Sequence, residues 1–136
     1  MQNPIASRLA PTASVLLRRL LQDDPVQSRK ANSALAQHDD ILITDVVLAE
    51  TIWTLCGKRY AAARDDIANT VMALLEDPSL RFESNNVIWS ALNDFMEFEN
   101  CDFQDALIAR KAGELGYPHL LSFDKGAQTL PNVSAP

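Results

Sequence analysis

From residue 15 onward, apolar positions recur at helical spacing in successive blocks, and three short apolar runs of strand length fall between them. The spacing predicts a helix from Val15 to Gln22, and Asp24-Pro25 reads as an N-cap and first-turn pair opening a second helix through Ala36. Thr44 or Asp45 caps VVLAETIWTLC, which ends near Gly57. Residues 61–76 (AAARDDIANTVMALLE) form the clearest amphipathic block, stopped by Asp77-Pro78. Asn86 to Phe98 places Val87, Trp89, Leu92, Phe95 and Met96 at apolar positions, and Asp102 to Leu115 ends at Gly116. ILIT (41–44), LRFES (80–84) and HLLSF (119–123) read as strands bounded by polar or turn residues. Strands alternating with helices over short connections predict an α/β layer fold with a mainly parallel sheet. In such a sheet, chemistry lies beyond the carboxyl ends of the strands.

Composition narrows this picture. At 136 residues and 47% hydrophobic, the chain is expected to be a single domain over 1–136 with a full core and an irregular stretch at 1–11. No apolar stretch approaches the roughly 20 residues of a bilayer span, and MQNPIASRLAP lacks the apolar centre of a secretory signal. Cys56 and Cys101 show no metal or redox spacing, which fits reduced thiols in a cytoplasmic protein without a membrane partner. The net charge of −6 argues against a general nucleic-acid coat. It does not exclude a nuclease, because carboxylates that hold a metal concentrate negative charge. His38 and His119 are isolated and read as structural or surface residues.

Three places put a carboxylate where surface charge explains it poorly. Glu50 has Val46, Val47, Trp53 and Thr54 as helical neighbours. An unpaired buried carboxylate is costly, so Glu50 reaches a cleft, meets a cation or lies at the rim of the apolar stripe. The helix alone favours the rim. Asp102 and Asp105 share a helix face, where like charges repel. A capping and dipole role accounts for Asp102, but less well for Asp105, which runs directly into Ala106-Leu107-Ile108. Asp124 follows a short apolar strand, as a turn residue before Lys125-Gly126 or as a group at a strand's carboxyl end. Together they form an acidic constellation of hard oxygen donors suited to Mg²⁺ or Mn²⁺. Such ions orient and deprotonate water in phosphodiester hydrolysis.

The segments VLLRRLLQDDPVQ (15–27), ITDVVLAETIWTL (43–55), the 61–77 helix, CDFQDALIARKAGELG (101–116) and SFDKGAQTLP (122–131) together resemble PIN-domain proteins, close to VapC-type toxins of toxin–antitoxin pairs. The resemblance implies a three-layer α/β/α fold with a short parallel central sheet and an Mg²⁺- or Mn²⁺-dependent endoribonuclease. It also implies an RNA substrate, a homodimer and a cognate antitoxin whose tail enters the active-site groove. By the same resemblance, metal ligands fall on Glu50, Asp105 and Asp124, with Asp102 beside them and Ser122 as an assisting hydroxyl. One motif departs. Where the family has an Asp-Thr-Asn-like sequence before the Val-Leu-Leu-Arg helix, this chain has Thr12, Ala13 and Ser14. Thr12 and Ser14 offer hydroxyls but no charge, and Pro11 lacks the N–H of a central strand. Expected consequences are a short, displaced or absent first strand, a weaker metal site, and either reduced ribonuclease activity or a binding module with impaired catalysis. Arg110 and Lys111, with Lys58 and Arg59, are candidates for phosphate contacts or plain solvated positions. Trp53, Trp89 and Phe98 are candidates for an interface or for the core.

Overall fold

The opening strand is present but very short. In the computed structural model, which describes residues 8–136, β1 (Arg8–Leu9) pairs in parallel with β2 (Asp40–Ile43), setting Arg8 opposite Asp40 and Leu9 opposite Ile41. Arg8 Nε reinforces the register with a 3.0 Å ion pair to Asp40 Oδ2. β1 is an edge strand and ends before Pro11, so the proline's missing N–H costs the sheet nothing. Of the expected outcomes for the first strand, short, displaced or absent, the two-residue β1 is the short one, and residues 1–7 of the stretch expected to be irregular lie outside the described part.

β2 pairs on its other side with β3 (Leu80–Phe82), again in parallel, in the order β1-β2-β3. A second parallel pair joins β4 (Leu120–Leu121) to β5 (Val133–Ser134). The helices are α1 (Ala13–Leu21), α2 (Pro25–Ala36), α3 (Asp45–Cys56), α4 (Arg64–Glu76), α5 (Asn85–Glu97) and α6 (Phe103–Glu114). Their starts follow local chemistry. The Asp24 carboxylate accepts the Gln27 N–H at 2.9 Å with Pro25 in the first turn of α2. Thr44 accepts from the Val47 N–H at α3, and Ser84 from the Val87 N–H at α5.

α4 starts three residues later than its alanine-rich approach predicts. Ala61 has φ of 46°, a left-handed conformation that a helix cannot contain. The Ala61 N–H donates to Gly57 O at 2.7 Å and the Ala62 N–H to Leu55 O at 2.9 Å, so both close the end of α3 instead.

Ile41 and Ile43 of β2, Leu48 and Ile52 of α3, Val71 of α4, Ile88 and Leu92 of α5, and Phe103 of α6 meet in one buried core. Helices and short parallel strands thus make a three-layer α/β/α arrangement around a small parallel sheet. Trp89 and Phe98 pack against this core, whereas Trp53 is 64% exposed. Among the described residues, no helix is long and apolar enough to cross a membrane.

Candidate metal centre

Asp102 occupies the N-cap position of α6 but makes no capping hydrogen bond, contrary to the capping role its position suggests. Its carboxylate instead joins those of Asp105 and Asp124. One oxygen from each lies within 4.8 Å of the others. Asp105 is brought there by helix geometry, one turn beyond Asp102. Burial first, then the charges of Asp124 and Asp102, push the Asp105 carboxyl above its ordinary value. Three carboxylates this close repel one another, and a divalent cation relieves that repulsion. Oxygens on opposite sides of a small divalent ion with bonds of about 2.1 Å lie about 4.2 Å apart, a separation that the spacing of these carboxylate oxygens can match.

The third carboxylate is held by its own loop. Asp124 Oδ1 accepts the Gly126 N–H at 2.7 Å and the Ala127 N–H at 3.4 Å, leaving Oδ2 for a ligand. Ser122 contributes by fixing the backbone: its Oγ accepts the Asp124 N–H at 3.0 Å, while its carbonyl accepts from Gln128 Nε2 at 2.8 Å. Gly126 has an ordinary φ of −63°, so backbone freedom does not explain it. A Cβ there would lie on top of the Asn100 carbonyl oxygen. The missing side chain lets the Asp124 loop close on the α5–α6 connection that introduces Asp102. Gly126→Ala is therefore expected to destabilise the fold by about 1–3 kcal/mol, as overpacking does, and to weaken Mn²⁺ binding in calorimetry. Unchanged melting together with unchanged Mn²⁺ affinity contradicts this role.

Arg64 secures the same connection from the other side. Its guanidinium donates to Cys101 O at 2.8 Å, Phe95 O at 2.6 Å and Phe98 O at 3.3 Å, and lies 3.9 Å from the centre of the Phe95 ring. Sequence spacing gives no hint of this long-range contact.

The remaining expected residues lie outside the trio. Glu50 is exposed on α3, a helix that packs against α6. Thr12 follows β1 at the carboxyl edge of the sheet, is exposed, and shares a 3.0 Å hydrogen bond with Ser14. Arg110 is no free phosphate ligand. Its Nε and Nη2 grip Asp94 Oδ2 and Oδ1 at 2.6 and 2.8 Å, and Asp94 is only 6% exposed. Lys111 sits 3.2 Å from Asp45 and within 4 Å of Glu83 and Glu114; the bond to Asp45 first, then the surrounding acids, raise its pKa. Lys58 and Arg59 are exposed, with Arg59 over the Tyr60 ring. Asp94 and Asp45 were missed as site-shaping acids. The signal for Asp94 is its place seven residues after Val87 on the buried face of α5.

A family model described as PIN domain matches residues 13–132, beginning directly after Thr12. No curated protein and no solved structure matches the chain.

Proposed function

The chain belongs to the PIN-domain family, commonly metal-dependent nucleases, and from that premise we propose that it is an endoribonuclease of the VapC-toxin type. The observation carrying this reading is the convergence of Asp102, Asp105 and Asp124 from two separate segments, with the Asp105 carboxyl raised by burial first and by its acidic neighbours second. Asp105 and Asp124 would hold Mg²⁺ or Mn²⁺, the former from a half-buried helix turn and the latter through the oxygen its loop leaves free. When bound, the ion supplies positive charge to the phosphodiester and lowers the pKa of its water. Asp102, the more open of the α6 pair, takes the proton of the attacking water. The water oxygen bonds to phosphorus as the bridging P–O bond breaks, and the departing oxygen takes a proton from solvent, leaving a phosphate end and a hydroxyl end. Glu50 is the fourth acid of this reading, carried on α3 beside α6. A homodimer, a cognate antitoxin and a cytoplasmic site of action belong to the same proposal.

A second reading has one observation in its favour. Thr12 stands where the family has its first aspartate, and its hydroxyl is bonded to Ser14. With one charge fewer, the protein is a PIN-like binding module with impaired catalysis. A panel of labelled RNAs, incubated with Mg²⁺ or Mn²⁺ against a Glu50/Asp105 double variant, separates the two. Metal-dependent cleavage that the double variant loses supports the nuclease, and cleavage that survives it overturns the site. Thr12→Asp is expected to raise Mn²⁺ affinity in calorimetry. Tight Mn²⁺ binding by the native chain that Glu50→Ala leaves untouched removes Glu50 from the site.

A further inference from the structure

Phe123, directly before Asp124, is 87% exposed, and Leu121 two residues earlier is 64% exposed. Neither belongs to the core, yet the backbone around them is firmly held. The Ser122 N–H donates to Ser134 O at 3.0 Å, and the Asp124 N–H and carboxylate are fixed by Ser122 and Gly126. A large aromatic ring is thus presented to solvent from a fixed base, on the residue directly before Asp124, the two Cα atoms about 3.8 Å apart.

We propose that Phe123 is a stacking platform for the base beside the scissile phosphate. This rests on the nuclease reading above. Electrostatics point the same way. The chain carries a net charge of −6, and the two adjacent cations of α6, Arg110 and Lys111, are already paired with Asp94 and Asp45. The helix that carries Asp102 and Asp105 therefore offers no unpaired cation at these two positions for a phosphate. Lys125, exposed on the other side of Asp124, forms no ion pair among the described residues and supplies one phosphate contact. An aromatic, a carboxylate and an ammonium on three consecutive exposed residues match the base, the reacting phosphate and the neighbouring phosphate of one short strand. Stacking on a side chain requires a base outside a duplex, where its faces would be covered by the bases above and below it.

The test measures anisotropy of fluorescein-labelled oligoadenylate with Ca²⁺ in place of Mg²⁺, alongside an abasic ribose-phosphate oligomer, a hairpin duplex and Mn²⁺ calorimetry. Phe123→Ala is expected to weaken oligoadenylate binding about tenfold or more, and Phe123→Trp to restore it. Mn²⁺ affinity stays at the native value in both. Native protein prefers oligoadenylate to the abasic oligomer and to the hairpin. Binding has a shallow salt dependence, near the slope of about −0.7 for a single neutralised phosphate. Phe123→Ala keeps that slope and Lys125→Ala flattens it. Equal binding by native and Phe123→Ala protein, or equal binding of the abasic oligomer, overturns the platform while leaving the metal site intact. A drop in oligomeric mass in Phe123→Ala with RNA binding unchanged reassigns the ring to a protein interface. Native protein that takes Mn²⁺ but binds none of these RNAs overturns the nuclease reading, and the platform with it.

Discussion

Asp105→Asn is expected to abolish Mn²⁺ binding in calorimetry and to lower RNA cleavage by about a thousandfold, the scale of a metal's electrostatic contribution to the transition state. The same change is expected to raise the melting temperature of the metal-free protein at neutral pH. Burial and the charges of Asp124 and Asp102 raise the Asp105 carboxyl's pKa in the folded chain. The cost of ionising it is therefore absent below the unfolded value. It grows as pH rises between the unfolded and folded values, and is complete above the latter. Asparagine keeps the shape and removes that cost. Excess Mn²⁺ reverses the ranking, stabilising the native chain by mass action and leaving the variant where it was. Calorimetric melts across pH, with and without Mn²⁺, check both halves. A variant that melts below the native protein without metal and still binds Mn²⁺ removes Asp105 from the centre.

Arg110→Ala carries the largest expected cost to folding, about 3 kcal/mol in urea unfolding. It strands the Asp94 carboxylate in a site that is 6% exposed. Breaking one half of a buried pair costs about 3–5 kcal/mol, and the half-open setting of Arg110 places this case at the lower end. Arg110→Lys recovers only part of the loss, because a point charge does not reproduce the two-pronged contact with both Asp94 oxygens. Replacing both partners by apolar residues leaves no orphaned charge and is expected to cost less than the single change. Native stability in Arg110→Ala shows that the pair carries no weight. RNA affinity measured on the still-folded variant separates this structural role from direct phosphate contact.

What could be read from the residues was whatever depends on neighbours in the chain. Asp24-Pro25 and Thr44 start their helices by bonding N–H groups within one turn, and such signals survive in sequence, whereas Ser84 reads as the end of the strand LRFES and in fact caps α5. The family match over 13–132 agrees with the PIN resemblance, and Asp105 and Asp124 meet as two of the expected acids. Ala61 defeated the reading of α4 because alanine favours helix wherever nothing competes, and here the end of α3 competes. β5 went unseen, since two residues carry no period. The role of Asp102 changed for a related reason: a capping position describes the backbone, whereas the side chain answers to Asp124, 22 residues away, through a loop closure. Arg110 looked like a surface cation because its partner lies on another helix. Glu50 is exposed on α3, outside the close trio.

Arg64 and Gly126 together bear on how the α5–α6 connection tolerates change in length. Surface connections ordinarily accept insertions at small cost. This one has the carbonyls of Phe98 and Cys101 tied to the guanidinium that also holds Phe95 O in the last turn of α5, and the Asn100 carbonyl pressed against a residue that has no side chain. An added residue between Phe98 and Asp102 breaks the spacing of the first set and thrusts the second into the Asp124 loop. Relatives with this arrangement are therefore expected to keep the number of residues here constant while their other loops grow and shrink.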